Sequence, residues 1–387
     1  MTRRASLLLI RSALVLASLA WVPRVAAADK PKPWRVGAFA SLTGSEATWG
    51  QSYERGTRLA IDELNAAGGV LGRPLELIID DNRSKSGDSA TIVRKLISRD
   101  KVIAVLGEVS SGRSLEAAPF CQQMRIPMIS NGSNPKVTEV GDYIFRVAYI
   151  DPFQGAVMAR FAREHLHATR MGLLTDTTNA YAVGLGKFFK DRFLHEGGII
   201  AMEQRYSGNE RDFKAQLTAL RAAGIDALFV PGYYTEVGLI VAQARQLGFQ
   251  GPVLGGDGWA APQLIALGGE ALHDTYYCDN FSVESDQPVT RRFIERYRAR
   301  FGVDPDSIAP LAFDAVGMLA DALTRAGTAA PAKLRQALAS TTGFQGVSGS
   351  ITVDAHRNPQ KPAYVVGFKQ GQYRLVTAIA PESNSGR

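Results

Sequence analysis

Two cysteines and five histidines are all that 387 residues offer of the side chains that most often ligate metals or act as thiol nucleophiles. A disulfide framework is therefore excluded. Cys121 falls in a helical pattern and Cys278 in a strand-like one far along the chain, so two buried free thiols are expected, with a bridge between them as the alternative. His165 and His167 are one residue apart and would point to different sides of a helix, with only Glu164 beside them. They read as a solvated helix end, and no metal or cofactor is expected. There is no Gly-x-Ser-x-Gly elbow, and Gly184-Leu185-Gly186-Lys187 has Tyr181 where a phosphate loop needs glycine and Phe188 where it needs a hydroxyl. Charge of one sign is nowhere clustered, which removes a nucleic-acid footprint. No uninterrupted apolar run reaches the roughly 20 residues of a membrane span, because Arg11 breaks the stretch from Leu7 to Trp21.

That N-terminal stretch is read instead as a secretory leader over residues 1–28, with Arg3 and Arg4 ahead of the apolar run and Ala26-Ala27-Ala28 as the cleavage site. The general secretory route fits its start better than twin-arginine export. Its removal takes away four arginines and no acids, so 44 basic against 37 acidic residues become 40 against 37 and the formal charge falls from +7 to +3. The 387-residue chain is long enough for two domains, and its 45% hydrophobic and 21% charged residues are the composition of a soluble globular chain.

Beyond a Pro-rich lead, short apolar runs alternate with amphipathic stretches. Trp34 to Ala40 reads as a strand, and Tyr53, Thr57, Ala60, Leu64 and Ala67 recur at helical spacing until Gly68-Gly69. Further strands are expected at Leu75 to Ile79, Val102 to Leu106, Ile126 to Ser130 and Tyr143 to Val147. Asp151-Pro152-Phe153 opens a second series of the same plan, with strands ending near Asp176, Val230 and Leu254. Helices near Val289 to Phe301, Ile308 to Ala326 and Ala332 to Ala339 follow, then strand-like Tyr364 to Phe368 and Tyr373 to Thr377, and a polar tail from Pro381. Such alternation makes an α/β protein with doubly wound parallel sheets, in which ligands bind at the carboxyl ends of the strands. The stretch Val102 to Pro119 passes from a strand through Gly107, Ser110 and Ser111 into a helix. Backbone N–H groups and the positive end of the helix dipole meet there, the makings of a site for a small carboxylate. An ordinary capped helix is the plainer reading of the same residues.

Several blocks carry a family resemblance: Ala40-Ser41-Leu42-Thr43-Gly44, the run Ala60 to Val70, Ile78-Ile79-Asp80-Asp81, Ile126 to Ser130, Phe145-Arg146 with Asp151 and Gln154-Gly155, Gly232-Tyr233 with Glu236, and Asp257-Gly258. Together they resemble type I periplasmic binding proteins of ABC transporters, in the leucine/isoleucine/valine-binding branch. The resemblance implies two lobes joined by a three-crossover hinge with the ligand cleft between them, residues 29–149 plus 282–361 forming lobe 1 and 150–281 plus 362–387 forming lobe 2. Function follows as an expectation: a monomeric periplasmic receptor that closes on a small aliphatic or aromatic α-amino acid, branched-chain by preference, and delivers it to a membrane permease.

Carried over by position, the resemblance assigns the ligand carboxylate to Ser111 and to the loop Asn131-Gly132-Ser133, whose backbone also meets the ammonium group. Tyr181 and Tyr233 close over the ligand, Trp49 touches its side chain, Asp257 pairs with its ammonium, and Asp151 acts at the hinge or behind the site. Two departures stand out. The Asn131 loop is one residue shorter than in relatives, and Asp257 is a methylene shorter than the common glutamate. Arg113 is read as a local ion-pair partner in preference to a ligand contact. An aromatic acid or a short amide remains the alternative ligand, and a secreted amide hydrolase the alternative class.

Overall fold

The computed structural model describes residues 31–380; the expected leader and the tail from Pro381 lie outside the described residues. Strands β1 (Trp34–Ala40), β2 (Leu75–Asp81), β3 (Ala104–Leu106), β4 (Met128–Ser130) and β5 (Ile144–Arg146) form one sheet in the order β2-β1-β3-β4-β5. Every neighbouring pair in it is parallel, with Val36 set between Leu77 and Ala104. Five successive buried residues in β1 and three of three in β3, β4 and β5 explain why these segments read as unbroken apolar runs: helices cover both faces. Helices α1 (Ala47–Ala66), α2 (Asp88–Ser98), α3 (Ser111–Met124) and the short α4 (Lys136–Glu139) connect them.

The strand order reverses between β1 and β3, so the chain leaves their carboxyl ends in opposite directions and opens a crevice there. Gly107 closes β3 at φ +123°, and a Cβ at that position would stand 2.4 Å from the Phe39 carbonyl oxygen. Only glycine allows the turn into α3 to run against β1 in this way.

A second sheet holds β6 (Arg170–Asp176), β7 (Ile199–Tyr206), β8 (Ala227–Phe229), β9 (Val253–Gly255), β10 (Thr275–Asp279), β14 (Ala363–Lys369) and β15 (Gln372–Ile379) in the order β15-β14-β10-β9-β8-β6-β7. Its connecting helices are α5 (Asp151–Arg160), α6 (Ala180–His195), α7 (Lys214–Ala222), α8 (Tyr234–Gln246) and α9 (Pro262–Gly268). Five strands run parallel and repeat the same reversal, here between β6 and β8. The expected parallel sheet ends in an antiparallel edge whose direction the sequence left open, because β14 pairs antiparallel with β10 and with β15. Gln370 and Gly371 both have positive φ, +52° and +77°, the conformation of a two-residue hairpin turn that forces an antiparallel return. β15 then alternates exposed and half-buried residues, as a one-sided strand does.

Between β10 and β14 the chain returns to the first lobe through α10 (Pro288–Phe301), α11 (Ile308–Ala326), which packs along α1, and α12 (Pro331–Ala339). A small antiparallel sheet follows, made of β11 (Phe344–Gly346), β12 (Gly349–Val353) and β13 (Pro359–Gln360), which the sequence pattern did not disclose. The chain thus passes between the sheets three times, after β5, after β10 and ahead of β14. Beside the last passage Lys361 is buried, its Nζ donating to Ser348 Oγ at 2.5 Å, and burial lowers its pKa to about 8 against the pull of Asp314 and Asp279. Cys121 and Cys278 are both buried free thiols, in α3 and β10.

Candidate functional site

Both reversal points face one another across a cleft. At its bottom lies a cavity of about 20 Å³ walled by six residues singled out in the sequence: Trp49, Asn131, Ser133, Tyr181, Tyr233 and Asp257. Val109, Ile308 and Leu311 add apolar surface, and Asn280 and Ser307 add polar atoms that sequence reasoning missed. The space holds little more than one water, so a solute enters only when the walls part. A wider polar cavity of about 440 Å³ lies outside it, with Tyr233 on both. Arg113 borders that outer space, where it pairs with Glu46 and donates to the Ser84 carbonyl at 2.8 Å, the local role expected of it.

Local structure sets each wall. Asn179 caps α6 by accepting the N–H groups of Tyr181 and Ala182 at 3.0 and 3.3 Å, which presents Tyr181 at the start of the helix. Tyr181 stacks on Tyr233 with ring centroids 5.3 Å apart, and Trp49 meets Tyr233 edge-on at 4.7 Å. The Tyr181 hydroxyl accepts the Gly258 N–H at 2.9 Å. A Cβ on Gly258 would lie 2.7 Å from the Gly232 carbonyl oxygen and 2.8 Å from the Tyr181 ring, so the residue after Asp257 must be glycine for the tyrosines to close. The two tyrosines are thus buried aromatics and cavity walls at once.

Asp257 enters from the turn after β9. Gln154 Nε2 and Asn280 Nδ2 each donate to its carboxylate at 3.1 Å, and Gln154 Oε1 accepts its backbone N–H at 3.1 Å. Gln154 also donates to Asp151 Oδ1 at 2.9 Å, which puts Asp151 behind the site. Burial lifts Asp257 to about 6, and burial with the neighbouring Asp257 charge lifts Asp151 to about 7. Asp279, also buried, is raised to about 7. The side chains that donate to Asp257 in these bonds are neutral amides. Arg146 faces Asp151 and Asp257 from the first lobe, and its Nη1 and Nη2 donate to the carbonyls of Gly132 and Asn134 at 2.6 and 2.7 Å, while Lys361 faces Asp279. Arg146 nails down the Asn131 loop, and burial lowers its pKa to about 10. This end of the cavity is acidic and fits a cation.

The other end is built on α3. Its first N–H groups have no acceptor within the helix, but the buried carboxylate of Glu108 already takes the Ser110 N–H and the Ser41 hydroxyl, each at 2.8 Å. The helix start is therefore less open to an outside anion than the sequence implies. Ser111 stands just behind the wall, 1% exposed, with its Oγ accepting the Asn134 N–H at 3.1 Å and its own proton free to be donated. Asn131 keeps both atoms of its side-chain amide buried without a partner, and so does Asp151 with Oδ2.

Hydrogen bonds also tie lobe to lobe across the cleft. Trp49 Nε1 donates to the Ala260 carbonyl at 2.9 Å, the Tyr233 hydroxyl to Ser110 Oγ at 3.2 Å, the Tyr234 hydroxyl to the Ser45 carbonyl at 3.0 Å, and Asn134 Nδ2 to the Ala180 carbonyl at 2.8 Å. These bonds describe a closed arrangement.

Comparison with known proteins agrees with this geometry. Residues 33–372 match the family described as periplasmic binding protein. The chain is 28% identical over 334 residues to "Leu/Ile/Val-binding protein homolog 1" of Brucella suis, covering 86% of this chain and 89% of that one. Among solved structures it is similar to a leucine binding protein from Thermotoga maritima, with TM-score 0.86 and 35% identity over 90% of this chain and 99% of that one. It is also similar to a branched-chain amino acid transporter substrate binding protein from Streptococcus pneumoniae in complex with isoleucine, with TM-score 0.84 and 32% identity over 90% and 99% of the two chains.

Proposed function

Since the chain belongs to the periplasmic binding protein family, we propose that its cleft captures a small α-amino acid, of branched-chain type by shape, for delivery to the membrane permease of an ABC importer. The acidic end of the inner cavity carries this reading. Asp257 stands on the cavity wall with neutral amides as its side-chain donors, and Asp151 is buried behind it; an α-ammonium group supplies a positive charge to that end. A zwitterion sheds the hydration of both its charges on entry, so the cleft must return an anion at one end and donors at the other. Asp257 is the anion; the hydroxyls of Ser111 and Ser133 and the first turn of α3 are the donors. Trp49, Tyr181 and Tyr233, with Ile308 and Leu311, cover the apolar part.

The protein works as a monomer in the periplasm, after removal of residues 1–28. Closure is a hinge motion on the three passages between the sheets, with lobe 1 comprising 29–149 and 282–361 and lobe 2 the remainder. A ligand favours closure only through contacts to both lobes, and a micromolar affinity corresponds to about 8 kcal/mol in all. Calorimetry against amino acids, short amides and aromatic acids tests the reading, with leucine, isoleucine or valine expected to give saturable heat and no product. Binding confined to acids that lack an amine would refute it, and turnover of an amide would make the protein an enzyme.

A further inference from the structure

Asn131 stands on the inner cavity wall, is 4% exposed, and meets no hydrogen-bond partner through either its amide nitrogen or its carbonyl oxygen. Its position is nonetheless fixed. The Asn131 N–H donates to the Glu108 carbonyl at 3.2 Å, and the next carbonyl, of Gly132, receives Arg146 Nη1 at 2.6 Å. Other carboxamides nearby use both ends. Asn280 donates to Asp257 and accepts the Tyr149 N–H at 3.2 Å. Asn134 donates to Ala180 and accepts the Lys136 N–H at 3.0 Å, and Gln154 both donates to and accepts from Asp257. Against that background an idle carboxamide held rigidly at a cavity wall needs an explanation, because buried polar groups that stay unpaired are costly and rare.

The chemistry of the ligand narrows what can answer it. An α-ammonium only donates and an α-carboxylate only accepts, and each has its own counterpart at Asp257 and at the α3 end. A hydroxyl or a carboxamide does both, and so can satisfy the two ends of Asn131 together. Val109, Ile308 and Leu311 give the wall an apolar share beside its polar atoms, which suits a small side chain that carries one polar handle on an aliphatic stem.

We propose that the Asn131 carboxamide is a specificity-determining contact, and that the cleft selects small α-amino acids bearing a side-chain hydroxyl or carboxamide over aliphatic ones of the same shape. The inference rests on the amino-acid reading above. A site built to hydrogen-bond a group discriminates against the analogue lacking it, because closure then leaves the protein's own polar atoms unpaired.

Two shape-matched pairs test it: threonine against valine, and asparagine against leucine, titrated calorimetrically into the full chain. The protein is expected to prefer the polar member of at least one pair by about 10- to 100-fold. Asn131→Leu keeps the shape of the side chain and deletes both polar atoms, and is expected to abolish or reverse that preference. Equal or tighter binding of the aliphatic member in both pairs would overturn the proposal, as would an Asn131→Leu protein in which both members weaken by one factor and the ratio stands. If none of the four amino acids binds, the amino-acid reading itself falls and takes this inference with it, an outcome distinct from binding without preference.

Discussion

Asp257→Asn separates the acidic anchor from a merely structural turn residue. Burial raises the Asp257 carboxyl from 3.8 to about 6, which at about 1.4 kcal/mol per unit corresponds to roughly 3 kcal/mol of uncompensated desolvation in the ionised protein. Asparagine removes that cost. It also turns one acceptor into a donor, so that either Gln154 Nε2 or Asn280 Nδ2, both now at 3.1 Å, loses its acceptor at about 1 to 3 kcal/mol. The two effects nearly cancel, and the melting temperature of the free protein is expected to change little. Binding responds differently. An ammonium closed into the cavity without its counter-charge costs about 2 to 5 kcal/mol, or roughly 30-fold to several thousand-fold in Kd. The pH dependence has opposite signs for folding and for binding. With its pKa raised, Asp257 holds a proton in the folded state that the unfolded chain has released. Its contribution favours the fold at acid pH, below about 4, and is lost as pH rises through about 6. Capture of an ammonium needs the ionised form, so affinity weakens as pH falls below about 6. Asp151 and Asp279, raised to about 7, push in the same directions and keep part of the dependence in the variant. Calorimetry across this pH range with thermal melts of both proteins checks the argument. An Asp257→Asn protein that binds as tightly as wild type and melts lower would show that Asp257 only shapes the turn.

Other consequences concern closure and packing. Trp49→Phe keeps an aromatic wall but loses the 2.9 Å bond to the Ala260 carbonyl in the other lobe, so ligand affinity is expected to fall by about tenfold or less, with scattering showing a larger open fraction in the free protein. Gly258→Ala places a methyl 2.7 Å from the Gly232 carbonyl oxygen and against both tyrosines; a loss of about 1 to 3 kcal/mol in stability and weakened binding are expected, read by melting and titration. The thiols of Cys121 and Cys278 are buried and pushed up by desolvation, so a thiol reagent should react with neither in the native protein and with both in denaturant without prior reduction. A requirement for reductant would reveal a bridge.

Local pattern carried most of the fold. β1 was legible from Trp34 to Ala40 because a strand covered on both faces needs an unbroken apolar run, and α11 was legible because its apolar stripe against α1 repeats at helical spacing. What escaped was whatever faces solvent or depends on a partner. β7 alternates weakly on a sheet edge, and β11 and β13 are two or three residues long. Within the cleft the sequence pointed to polar residues after the carboxyl ends of strands, and six of the seven named ligand candidates line one cavity while Ser111 stands just behind it. Asn280 obeys the same rule, standing directly after β10, but its role depends on a carboxylate 23 residues away that only the fold brings to it.

The sequence by itself determined the alternation of strand and helix, the glycines where backbones must approach, and the family to which these residues belong, because each is written in neighbouring positions or in recognisable blocks. Tertiary structure decided the antiparallel edge of the second sheet, the internal occupation of the α3 start by Glu108, and which polar atoms stay idle. Those outcomes turn on pairs far apart in the chain, such as Trp49 with Ala260, 211 residues away, and Tyr233 with Ser110, 123 away. Periodicity records which face of an element is buried. It holds no record of what that face is buried against, and so an unpartnered Asn131 becomes visible only when every neighbour that could have paired with it has been put in place.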